Sequence, residues 1–188
     1  MEKKFTLFFL LLFTVVVAAA QQLDAKHCPK HDMNLSPAHN LVIHPKHNPV
    51  INPKFNWSIN PVKNKTINPE NVSAISPQGN SNINPLVNNE LNPMFTINLS
   101  PRHYSWKGMY TFNAEDEHTG YITVYSQDLL LEFDKEANWA FFYIKTGKGT
   151  FNRFNMDGKW TGEYICADGM VGYNLFDKEG NFTGTHIK

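Results

Sequence analysis

The chain has 188 residues, and its 17 Lys and Arg balance 17 Asp and Glu. That length allows one domain plus an appendage, and neutrality leaves no electrostatic footprint for a nucleic acid partner. Residues 21–103 hold seven basic and four acidic residues, and residues 104–188 hold eight and twelve, biases too small to name a partner.

Lys3 and Lys4 precede an apolar run from Phe5 to Val17, and Ala18-Ala19-Ala20 comes next. This pattern predicts a secretory signal peptide over residues 1–20, cleaved after Ala20. The run is shorter than the roughly 20 residues of a spanning helix. No later segment is apolar enough to span a bilayer, so no membrane span is expected after signal removal. The processed chain is expected to be secreted or held in the periplasm or cell envelope. An oxidising compartment would permit a disulfide between Cys28 and Cys166.

The processed chain opens on a His-rich stretch, HCPKHDMNLSP at 27–37, succeeded by His39, His44 and His47. Thiolate and imidazole donors this dense suit Zn or Cu, with His27, Cys28, His31 and His39 as candidate ligands. The stretch resembles short heavy-metal-binding segments of bacterial metal-handling proteins, which read C-P-x-C-G-M-x-L-x-P. That resemblance implies Cys28 and His31 as ligands and Met33 as a soft one. It departs where His31 replaces the second cysteine and Asp32 the glycine, and no C-P-M-H-P companion is present. Pro29 and Pro37 also belong to the next pattern, which makes the same stretch readable as a decayed first repeat.

Prolines fall at 29, 37, 45, 53, 61, 69, 77, 85, 93 and 101, an unbroken period of eight that ends there. An aliphatic residue stands two before most of them, Asn or Ser directly before, and Asn often three after, giving [IL]-[NS]-P-x-x-N-x-x. Proline presets φ for a turn. The Asn or Ser before it accepts a backbone N–H, and the later Asn tolerates the left-handed region as the turn exits. One aliphatic per eight residues gains roughly 2 kcal/mol on burial, whereas ordering each backbone residue costs about 1–2 kcal/mol. That balance favours a largely irregular, turn-punctuated stalk over residues 21–103. A thin β-solenoid and a strap lying on the C-terminal domain are the alternatives.

From residue 104 the composition turns to aromatics, glycines and charges. FNAEDEHTGYIT (112–123), FDKEANWAFFYI (133–144), FNMDGKWTGEYI (154–165) and FDKEGNFTGTHI (176–187) align without gaps. Each reads as strand, turn and strand, with Asp157-Gly158 and Glu179-Gly180 as hairpin turns. The glycines of the Thr-Gly pairs inside the second strands suggest a bulge or the close approach of another backbone or side chain. The domain over 104–188 is therefore expected to be all-β, about four repeated hairpins. Its period and its D-G-K-W-x-G core resemble MORN repeats and related secreted hairpin arrays, best over residues 154–174. The second unit departs, with Ala140-Phe141 in place of Thr-Gly. The resemblance implies binding or scaffolding, and a closed propeller- or flower-like arrangement fits the four hairpins equally well.

No G-x-S-x-G, H-E-x-x-H or Walker motif occurs in the chain. The aromatics of the hairpins are mainly core, and those left exposed would form a platform for an unknown protein or glycan ligand. Trp139, Trp160, Tyr121 and Tyr143 are the candidates, the two tryptophans at equivalent positions. The expected role is an exported, non-enzymatic binding or structural protein, with a Zn- or Cu-binding envelope protein second and an enzyme of unknown class third.

Overall fold

In the computed structural model, which describes residues 21–188, eight strands form a closed antiparallel barrel. The signal peptide expected over residues 1–20 lies outside the described residues. The strands are β1 (Met109–Phe112), β2 (His118–Val124), β3 (Leu129–Asp134), β4 (Trp139–Gly147), β5 (Thr150–Phe154), β6 (Trp160–Ala167), β7 (Tyr173–Phe176) and β8 (Phe182–Ile187). Each pairs with its neighbour in sequence, and β1 closes on β8 through Thr111 opposite Ile187 and Phe112 opposite His186. The hairpins form neither an open array nor a radial propeller- or flower-like set: they pair side by side into one barrel, which leaves no exposed sheet edge. No helix of the described residues is long and apolar enough to cross a membrane.

Side chains alternate across each strand, so the barrel has two apolar faces. Ile122, Leu130, Tyr143, Phe151, Ile165, Leu175 and Ile187, one from each of β2 to β8, pack together with Met109 of β1. They are buried with no residue of the N-terminal segment among them, which identifies the barrel interior. The opposite face carries Phe112, Tyr121, Leu131, Phe142 and Phe154, and here residues of the N-terminal segment, including Leu91 and Leu99, join the cluster.

Every hairpin has a register break at the place of the Thr-Gly pairs, including the second, where Ala140-Phe141 stands instead. The breaks differ in size. In the first two hairpins one extra residue is accommodated, between the pairs Thr111–Gly120 and Phe112–His118 and between Glu132–Phe141 and Phe133–Trp139. In the third, Asn152 pairs with Tyr164 and Phe154 with Trp160, so one residue of β5 faces three of β6, and the fourth repeats this between Asn174–His186 and Phe176–Phe182. Gly162 and Gly184 take φ of +88° and +90° at these wider breaks, a conformation that a Cβ disfavours. A one-residue difference in the break reverses the facing of every later residue in the strand. Tyr143 thus points inward while its aligned partners Tyr164 and His186 point outward.

Residues 21–103 form short 3-10 turns, from Ala25–His27 to Ile97–Leu99. The expected use of Asn or Ser before proline is present: Asn52, Asn60 and Asn92 accept from the N–H two residues on. The Asn three after proline acts differently from the expectation. Asn48, Asn56, Asn64 and Asn80 all have negative φ and cap the next 3-10 turn by accepting from Val50, Ser58, Thr66 and Asn82 N–H. Both asparagines also reach back one unit. Asn60 Nδ2 donates to Pro53 O (3.1 Å) and Asn56 Nδ2 to Val50 O (2.7 Å). These rungs couple successive units, and the buried edge of each unit, such as Ile51-Asn52-Pro53, faces inward. The balance that favoured a free stalk required hydrogen-bond ladders to make up the deficit although each proline removes one donor; side-chain rungs and the barrel surface beneath supply them.

The segment lies against the barrel. Ile43 O accepts from Asn174 of β7, Ile59 O from Cys166 of β6, Ile67 O from Asn152 of β5 and Leu99 O from Thr123 of β2. Ser73–Ile75 packs on β4. Moving forward in the segment therefore moves backward through the strands. Its first residues meet the last: Gln21 N–H donates to Pro101 O (3.0 Å) and Gln21 Nε2 to His103 O (3.0 Å). The result is a belt that encircles the barrel once and closes on itself. Cys28 and Cys166 are both buried and are not joined.

Candidate functional site

The turn of each hairpin meets the belt: Lys30 pairs with Glu117, Arg102 donates to Glu136 O, Gly158 lies beside Leu86, and Lys54 donates to Asn181 Oδ1. The residue five along each aligned unit, Asp116, Ala137, Gly158 and Gly180, has φ between 59° and 79°, so the four turns share one backbone path. Two places later stand His118, Trp139, Trp160 and Phe182. His118, Trp139 and Trp160 each border a cleft between their own turn and the belt, and Phe182 borders one between the belt and Ala114 of the first turn.

The cleft at His118 measures about 500 Å³ and includes Cys28, Lys30 and Asp116. That at Trp139 measures about 340 Å³, walled by Pro93, Met94, Phe133 and Met156 with Arg102 at its lip. That at Trp160 measures about 230 Å³ and is ringed by Glu70, Ser76, Gln78 and Lys159. That at Phe182 is about 80 Å³, lined in part by Pro37, His44 and His186. Two of the four fall in the size range of small-ligand sites. The tryptophan rings are fixed: the Trp139 indole N–H donates to Phe141 O (2.9 Å) and that of Trp160 to Glu163 O (3.0 Å).

The other two aromatic candidates do not reach the surface. Tyr121 is 4 % exposed beneath the belt and its hydroxyl donates to Gln21 O. Tyr143 is 1 % exposed inside the barrel and donates to Glu132 Oε2 (2.6 Å). Burial first, then the Glu132 charge, pushes the Tyr143 phenol well above its ordinary range. The inward turn of Tyr143 results from the one-residue bulge of its hairpin, which the aligned sequences did not reveal.

The four candidate metal ligands do not converge. His27 packs its ring on Tyr110 at 5.9 Å. Cys28 is 7 % exposed and faces the His118 cleft, while His31 and His39 are exposed on the belt. Among the described residues no group of three or more His, Cys, Asp or Glu is placed to hold a metal ion. The eight-residue period explains the separation, because His31 and His39 occupy the outward variable position of successive units.

Sequence reasoning missed a buried charged cluster beneath the Phe182 cleft. His186 Nε2 lies 3.2 Å from Asp116 Oδ1, both nearly inaccessible, and its ring stacks on Phe112 at 5.5 Å. Lys188 pairs with Asp168 close by. Burial pushes the His186 imidazole down to about 4; Asp116 and Asp168 oppose the shift and Lys188 adds to it. An imidazole whose folded pKa is depressed takes up its proton later than in the unfolded chain. Its contribution is fully present above about pH 6.5 and is lost as pH falls toward 4, by roughly 3 kcal/mol. Urea melts between pH 7 and 4 are expected to show this slope, and His186→Gln to flatten it; an unchanged slope in the variant would assign acid lability to other groups.

Comparison of the chain with protein-family models, with curated proteins and with solved structures finds no match.

Proposed function

We propose that this is an exported, non-enzymatic binding or structural protein of the cell envelope or the extracellular space. In this reading a repeat-built barrel and a repeat-built belt together present a set of ligand clefts to an as yet unidentified protein or glycan. The observation that carries the proposal is the recurrence, at His118, Trp139 and Trp160, of one arrangement: a hairpin turn, an aromatic ring at its base and a belt edge opposite, with different polar groups in each copy. Variation of the lining around a constant frame is also how one scaffold serves recognition.

The deciding experiment is a combined glycan and peptide array incubated with the chain from residue 21 to 188. Binding to one class is expected, weakened at least about tenfold by Trp139→Ala or Trp160→Ala if that ring forms a contact. Silence across both classes overturns the binding half of the proposal and leaves a structural role.

A further inference from the structure

Resting on the binding role just proposed, we infer that the Trp139 cleft takes the carboxyl-terminal end of a peptide chain whose last side chain is large and apolar. The walls are apolar and adaptable. Met94 is 80 % and Met156 40 % exposed, and both line the cleft with Trp139. Unbranched thioethers fill irregular gaps around a guest and favour aromatic and aliphatic groups. An apolar cleft alone would not choose a partner; the lip supplies the choice.

Arg102 stands there, held through Nη2 by two neutral acceptors, Glu136 O (2.5 Å) and Asn138 Oδ1 (3.0 Å). It takes part in none of the six ion pairs among the described residues. The nearby Asp134 carboxylate is occupied instead by Asn138, accepting from its backbone N–H (2.7 Å) and its amide (2.9 Å). The guanidinium is therefore oriented but keeps its full charge, and its fork geometry matches a carboxylate. A chain terminus ending in leucine or phenylalanine carries both required features on adjacent atoms: an apolar side chain for the methionine walls and a carboxylate for Arg102.

The test uses the chain from residue 21 to 188 and two hexapeptides ending in leucine, one a free acid and one a C-terminal amide. Binding is followed by the NMR shift of the Trp139 indole N–H, assigned with Trp139→Phe. The acid is expected to bind at least about tenfold more tightly than the amide. Arg102→Gln, at an exposed position of the belt, is expected to abolish that difference while leaving the weaker apolar affinity. Equal affinity for acid and amide overturns the inference, as does a discrimination that survives in Arg102→Gln. Tighter binding of dodecanoate than of the acid peptide would assign the cleft to acyl chains and overturn the peptide terminus. If neither peptide moves the Trp139 signal, the inference fails by itself; a positive array would still sustain the general binding role.

Discussion

Replacing Arg153 by methionine is expected to lower the stability of the protein by about 3–5 kcal/mol at pH 7. Arg153 projects from β5 into the barrel interior. Its Nη2 lies 2.7 Å from Glu132 Oε1 and its Nη1 2.5 Å from Glu163 Oε2, with side-chain exposures of 12 %, 15 % and 32 %. The guanidinium also stacks over Phe141 at 3.6 Å, and Glu132 in turn accepts from Tyr143. Burial works against its charge, yet Tyr143, Glu132 and Glu163 together hold the guanidinium above its ordinary range. Without the cation two carboxylates would face each other across a confined space, and desolvation would no longer be offset. The sign can be checked within the same cluster. Glu132→Gln added to Arg153→Met removes one uncompensated charge and is expected to recover a large part of the loss. Guanidinium melts of the single and double variants measure this; a single-variant loss below about 1 kcal/mol would mean that water already compensates the cluster.

A second large effect is expected at the seam between belt and barrel. Asn152 and Asn174 are fully buried on the outer face of β5 and β7, and their amides donate to Ile67 O (2.9 Å) and Ile43 O (2.8 Å). Each is the link between one strand and one belt unit. Truncation to alanine leaves a belt carbonyl buried without a donor, at a cost of about 1–3 kcal/mol each. The two sites lie on different strands and different units, so the losses should nearly add. Amide exchange is the informative readout. In the unmodified protein the buried belt amides and the barrel amides should exchange together through a single cooperative opening. In the Asn152→Ala, Asn174→Ala chain the belt amides should exchange first, because the belt's own rungs remain while its attachment weakens. Independent belt and barrel melts in the unmodified protein would overturn this account.

Both effects concern polar residues that a one-dimensional reading passes over. Asn152 and Arg153 sit side by side in FNRFN, yet one faces the belt and the other the ion cluster, as alternation along a strand requires. Nothing in that pentapeptide indicates which face is which. The answer depends on the size of each bulge, and the gapless alignment of the four units concealed that the last two hairpins carry wider breaks than the first two. The candidate tryptophans were found because they hold an equivalent place in the repeat. Arg102, Met94 and Pro93 were not, since they belong to the belt and meet Trp139 only after the chain has closed around the barrel.

What the sequence determined by itself was local. The eight-residue proline period, the Asn or Ser that accepts an N–H two residues on and the hairpin turns all depend on atoms a few residues apart, and residue chemistry dictates them directly. The all-β character of residues 104–188 came from the same kind of signal. Only the tertiary structure decided that the hairpins close, that the proline segment forms a belt, and that Gln21 returns to Pro101. Those outcomes rest on pairings such as Asn152 with Ile67 and Asn174 with Ile43, 85 and 131 residues apart. A donor and an acceptor that distant carry no mark of one another in the chain; they become partners because a barrel of this circumference offers its outward amides at the spacing of the belt's carbonyls.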